Sequence, residues 1–307
     1  MIKMVDRVFT PDLKKSFAGH ETFTFRLFWL KKGFDQNAIF PEIFQSDEAV
    51  VKLGVGKNMV RSIRHWCLAT GILSEDNPST SKNLSPTWLG SCLLKDDGWD
   101  PYLEDEATLW LLHWILVSLG SRVPTWFWSF NEMHSFSFSK KSLHELVSEE
   151  IKKSGWNEIS PVSISHDVDC FIHTYCQGEK ESDITITCPL ISLELIESNE
   201  LGDYRFRVGS KPSLPKAIFA YALADFWNKR FLGNQVLDYQ EIQSQAGSPA
   251  LCFKLDNETI LENLDQIEKS SCGQMIFQDT ALVRQVIKKV DGLINTQAIL
   301  ESYYVRR

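Results

Sequence analysis

Residues Leu53–Leu73 read LGVGKNMVRSIRHWCLATGIL. Val60, Ile63 and Cys67 recur at i, i+3 and i+7, which draws one buried stripe along a helix of about 3.6 residues per turn. On the opposite side of the same wheel fall Lys57, Asn58, Arg61, Ser62, Arg64 and His65, with no acid among them. The helix is predicted from about Gly56 to Thr70, with Gly71 just beyond it. The tight turn at Val55 and Gly56 sets it steeply against a short preceding helix, DEAVVKL, which follows Ser46 and stops at Gly54. Downstream, ILSEDNPSTSKNLSPTWLG reads as a strand, a polar turn and a second strand. Helix, helix, tight turn, helix and two-stranded ribbon is the order of a winged helix-turn-helix.

The residue types on the polar face suit DNA. Arg and Asn match the edges of guanine and adenine, Lys matches phosphate, and the N–H groups at the helix start can receive an anion. A solvated basic face on a small helical domain, or a winged helix that docks protein, accounts for the same pattern. Upstream, GHETFTFRLFWLKKGF is read as an aromatic helix closed by Gly33, with Phe23, Leu27 and Leu30 as core. His20 and Glu21 then sit in its first turn, either as ordinary first-turn residues or as an acid/base pair near DNA. Arg26 is either a stem packed on aromatic rings or a phosphate contact.

Charge is unevenly placed. The 307-residue chain carries a net charge of −8, yet residues 1–95 hold thirteen Lys and Arg against nine Asp and Glu. The acidic excess therefore lies entirely beyond residue 95, so a polyanion is expected at one end and something else at the other. Hydrophobic residues make up 43% of the chain, with ten Trp and nineteen Phe, which excludes a disordered protein. No run of about 18 or more apolar residues occurs, so no membrane span is expected, and the N-terminal residues do not read as a secretory signal. Seven cysteines without a CxxC pair fit a cytoplasmic protein with reduced thiols.

The fold expected from these patterns is mainly α with small β wings. A winged helix-turn-helix over 16–95 precedes a helical section over 96–205. A second, winged-helix-like unit spans 210–307. The third helix of that last unit, DNETILENLDQIEK, carries Asp256, Glu258, Glu262, Asp265 and Glu268, with Lys269 at its far end. Five acids would repel a phosphate backbone, so this element is expected to face a basic partner protein or plain solvent.

One cluster in the middle section carries metal-type residues: SHDVDCFIHTYC, with His166, Asp167, Asp169, Cys170, His173, Tyr175 and Cys176. His166, Cys170 and His173 share a helical face, but the outer two lie about 10 Å apart along the axis, so a zinc site would need a ligand from elsewhere, such as Cys188. Zinc is not expected. Asp167 and Asp169 are the first suspects for holding a divalent cation, Mg or Mn, in phosphodiester cleavage, with Tyr175 as a conceivable nucleophile. On a helix i and i+2 point apart, and acids in the first turn after Ser165 explain the same pattern. No Walker loop, GxGxxG, GxSxG or HExxH occurs, so nucleotide-dependent and hydrolase chemistry has no motif support.

Three stretches together, GHETFTFRLFWLKKG, VGKNMVRSIRHWCLATGIL and DPYLEDEATLWLLHWIL, resemble a bacterial family of unknown function encoded beside DNA phosphorothioation genes. The likeness is to the SspB-like, DNA-nicking components of single-stranded DNA phosphorothioation systems. It is strong over about 16–120 and looser beyond. It implies a DNA-binding protein that nicks one strand and works with a cysteine desulfurase, an ATP-pyrophosphatase-like sulfur-transfer enzyme and an ATPase. It brings no catalytic motif, so the nicking candidates are Asp167, Asp169, His20 and Glu21. The DNA contacts are Lys57, Asn58, Arg61, Arg64, His65 and Arg26. The alternative is a non-enzymatic winged-helix adaptor or transcription regulator.

Overall fold

A computed structural model describes residues 17–75, 83–156, 159–177, 187–199 and 202–305. Three helices open it: α1 (Trp29–Ile39), α2 (Ala49–Leu53) and α3 (Lys57–Ala69). Gly54 takes the left-handed conformation that ends α2, with φ of 60°, and Gly56 caps the start of α3. The α3 stripe is buried as its spacing predicts, through Val60, Ile63, Trp66 and Cys67. Strands β1 (Leu73–Glu75) and β2 (Leu84–Pro86) then pair antiparallel, Leu73 opposite Pro86. Most of the predicted turn between them lies outside the described residues.

Three local expectations are corrected here. The aromatic helix begins at Trp29, not near Gly19, because Ala18, Glu21 and Thr22 all hold positive φ, which an α-helix cannot include. Gly33 does not close α1 but lies inside it. A Cβ there would stand 2.6 Å from Cys67 Sγ and 2.9 Å from Ile63 Cγ2, so the glycine lets α1 lie close on α3. The expected end of the second strand, PTWLG, instead starts α4 (Trp88–Leu94). Thr87 caps it, accepting from Gly90 N–H at 2.9 Å while donating to Gly71 C=O at 2.7 Å.

The middle section holds α5 (Glu106–Val117), α6 (Pro124–Asn131), α7 (Lys140–Lys153) and α8 (Pro161–Tyr175). Helix α5 is apolar on all sides and accordingly buried on all sides. Helix α8 starts at Pro161 behind the Ser160 cap, earlier than read from the sequence, so Asp167 falls in its second turn rather than its first. Strands β3 (Ser137–Phe138), β4 (Ile196–Ser198) and β5 (Tyr204–Phe206) form an antiparallel sheet in the order β3-β5-β4.

Helix α9 (Lys216–Arg230) leads into β6 (Val236–Asp238), α10 (Tyr239–Ser244), α11 (Pro249–Phe253), α12 (Asn257–Asp265), α13 (Ile267–Ser270), the hairpin β7 (Met275–Asp279) and β8 (Arg284–Lys288), and α14 (Thr296–Tyr304). The three strands pair antiparallel in the order β6-β8-β7. Among the described residues the fold is thus mainly helical with three small antiparallel sheets. One hydrophobic core runs from Phe25 to Leu300, with a small satellite of Ile43, Ala49, Leu53 and Val60 under α2. At its centre the buried His113 donates from Nε2 to Cys252 C=O at 2.9 Å. Its Nδ1 therefore accepts from Tyr175 O–H, at 2.8 Å, and α5, α8 and α11 are tied together. Among the described residues no helix is long and apolar enough to cross a membrane.

Candidate nucleic-acid interface and its strap

The polar face of α3 meets acids after all, supplied from outside the helix. Arg61 Nη1 lies 3.3 Å from Glu21 Oε1, and Arg64 Nη2 lies 3.5 Å from Glu75 Oε1 on β1. A helical wheel shows only neighbours within the helix and cannot register either pair. Glu75 also holds Arg122 Nη2 at 3.1 Å, so a third guanidinium, from the loop between α5 and α6, joins this face. Arg122 carries no sequence signal, being one isolated base between two buried helices. Lys57, Asn58 and Arg61 are exposed. His65 and Ser62 are different from these: His65 Nε2 and Ser62 Oγ are enclosed and, among the described residues, have no hydrogen-bond partner. Burial, reinforced by the neighbouring His20, Arg122 and Arg64, pushes the His65 pKa down to about 3. His65 therefore brings no positive charge to the face at neutral pH.

Residues 18–22 form a strap over this helix. Its anchor is Asp167, reached from α8 and only 1% exposed. Asp167 Oδ1 accepts from Ala18 N–H and from His20 Nε2 at 3.0 Å, and Oδ2 accepts from Thr125 O–H at 2.8 Å. His20 Nδ1 accepts from Thr22 N–H at 3.1 Å, which fixes the tautomer with the proton on Nε2. The imidazole is boxed by the rings of His65, Trp66 and Trp126, with centroids 5.9–6.2 Å away. Glu21 points outward from this anchored turn onto Arg61. The Arg26 guanidinium lies over the Trp29 ring at 5.0 Å and the Phe23 ring at 5.7 Å, a cation–π contact.

Sequence-predicted candidates from three separate stretches are thus brought together: His20 and Glu21, Arg61 and His65, and Asp167. Asp169 is not among them. It pairs with Lys140 at the start of α7, while Asp167 faces the strap. The two aspartates consequently offer no shared cation site. Cys170 and Tyr175 are buried, which raises both pKa values, and the Tyr175 hydroxyl is engaged by His113, so neither offers a nucleophile at the surface. Among the described residues no group of three or more His, Cys, Asp or Glu side chains is placed to hold a metal ion. Mg²⁺ commonly takes only one or two carboxylates plus waters. Among the candidate carboxylates, both Asp167 oxygens are engaged within the protein, Asp169 holds Lys140 and Glu21 pairs with Arg61.

The profile of the family of proteins of unknown function DUF4007 matches residues 17–304. The chain belongs to this family. It is also similar to two solved structures, each 30% identical to it over 95% of this chain and 88% of the other. They are a magnesium ion-bound SspB, with a TM-score of 0.87, and SspB, with a TM-score of 0.85. No curated protein matches the chain.

Proposed function

We propose that the protein is a DNA-binding component of a bacterial phosphorothioation system and that it nicks one strand with Mg²⁺ or Mn²⁺. The likeness to SspB along nearly the whole chain carries this reading. The order of α1, α2, α3, β1 and β2 supports a winged helix in the N-terminal unit, and the order of β6, α10, α11, α12, β7 and β8 supports a second one in the C-terminal unit. In the first, Lys57, Asn58, Arg61 and Arg64 contact DNA, with Arg26 and Arg122 at the margin. In the second, the acids of α12 turn away from DNA toward the basic surface of a sulfur-transfer or ATPase partner in the cytoplasm. Nicking uses the strap, where Glu21 offers a partly exposed carboxylate paired with Arg61, whose guanidinium suits the scissile phosphate.

One observation favours a non-enzymatic adaptor instead: Asp167 and Asp169 are both held in protein contacts. A plasmid-relaxation assay with purified protein and Mg²⁺ or Mn²⁺ separates the two readings. Conversion of supercoiled to open-circular DNA is expected, and binding without conversion selects the adaptor. Arg61→Ala combined with Arg64→Ala should weaken DNA binding and flatten its salt dependence by about 0.9 of a log–log unit per lost phosphate contact. Unchanged affinity and slope would remove α3 from the interface.

A further inference from the structure

Ala18, Glu21 and Thr22, three of five consecutive residues in the strap, hold left-handed backbone with φ of 55°, 50° and 70°. None is glycine, and Thr22 is β-branched, the side-chain type least suited to that region. Such conformations persist only where the surroundings over-determine them. Here the surroundings are the buried carboxylate of Asp167, which takes Ala18 N–H, His20 Nε2 and Thr125 O–H at once, and the Thr22 N–H bond to His20 Nδ1. What this arrangement presents to Arg61 is the Glu21 carboxylate. The pair is accessible to a ligand, Arg61 being 56% exposed and Glu21 30%. Ion pairs this exposed contribute little to stability, so a strained turn and a buried His–Asp contact are not explained by the strength of the pair.

We propose that Asp167 and His20 are positioning residues that hold Glu21 against Arg61, and that Glu21 sets how readily this basic face accepts a DNA phosphate. The proposal rests on the reading of α3 as the DNA-contacting helix. A phosphate approaching Arg61 must displace the carboxylate or lie beside it, and either costs binding free energy on any DNA. A duplex whose shape also engages Lys57, Asn58, Arg64 and Arg122 offsets that cost, whereas a poorly fitted one does not. Glu21 would then raise selectivity through a penalty, which is how discriminating interfaces commonly work.

The test uses the full-length protein and a fluorescent random-sequence duplex, titrated over a series of salt concentrations. Glu21→Gln should bind about two- to five-fold tighter, the range of an exposed ion pair, with a log–log salt slope steeper by up to about 0.9. Asp167→Ala should release the strap and reproduce the Glu21→Gln shift. Asp167→Asn, which keeps the acceptor for Ala18 and His20, should restore wild-type binding. The double variant Glu21→Gln with Asp167→Ala should bind no tighter than Glu21→Gln alone. If Asp167→Ala lacks the wild-type circular dichroism spectrum, His20→Ala takes its place. Wild-type affinity and slope in Glu21→Gln, in a protein that Arg61→Ala weakens, overturns the proposal. So does wild-type affinity in a folded strap-release variant. No effect of Arg61→Ala itself would instead sink the DNA reading of α3.

Discussion

His113 and His65 show how burial sets the chemistry of single residues in this protein. Burial pushes both pKa values down to about 3, since a charged imidazole loses its hydration there. The sign for stability follows directly. Above pH 6.5 both rings are neutral whether the chain is folded or not, and nothing is gained or lost. Below 6.5 the unfolded chain takes up protons that the folded chain refuses, so stability falls as pH falls from 6.5 toward 3. The fully buried His113 should contribute up to about 1.4 kcal/mol per pH unit in that window, and His65 adds in the same direction. Urea unfolding at pH 7 and pH 5.5 measures the slope, and His113→Gln should flatten it. An equal slope in that variant would show that the acid sensitivity lies elsewhere. The same burial explains why His65, which the sequence places on a basic face, is a packing residue beneath the strap.

At the scale of elements, the placement of α3 depends on a close approach that one residue permits. Gly33 lets α1 lie on Ile63 and Cys67, and nothing larger than hydrogen fits there without movement. Gly33→Ala would gain helix propensity, worth about 1 kcal/mol on an exposed helix, but here overpacking should reverse the sign, with a net loss of about 1–3 kcal/mol. Thermal melting checks this, and a stabilised variant would mean that α1 shifts freely on α3. The α1 boundary was not legible in sequence because the aromatic spacing of residues 23–30 reads as one helix, while the left-handed turn before it is held by Asp167, 145 residues after Thr22. By contrast α2, α3 and the β1–β2 pair were legible, because Gly54, Gly56 and the apolar stripe are local signals.

On the scale of the whole molecule, the C-terminal elements are fastened into the middle section through buried polar contacts. His113 donates to Cys252 C=O and Asn131 Oδ1 accepts from Gly247 N–H at 2.8 Å. Lys254, buried and without a carboxylate partner among the described residues, donates to Phe130 C=O and lies 4.3 Å from the Phe206 ring centroid. Burial lowers its pKa to about 8. Because these ties cross one continuous core, unfolding should be a single transition. Tryptophan fluorescence and far-ultraviolet circular dichroism should give coincident curves, and separated midpoints would show that the units unfold independently.

The sequence alone determined the helical class, the α3 stripe with its basic face, the uneven charge along the chain and the likeness to a phosphorothioation-linked family. Each of these is written in neighbouring residues or in their spacing. Only the tertiary structure decided what surrounds that basic face. It brought Glu21, Glu75 and Arg122 to the arginines, separated Asp167 from Asp169, and placed Asp167 beneath the strap with His20. The physical reason is range: periodicity and capping act over a few residues, whereas an ion pair or a buried carboxylate acts on whatever the folded chain brings within about 3 Å, at any separation in sequence.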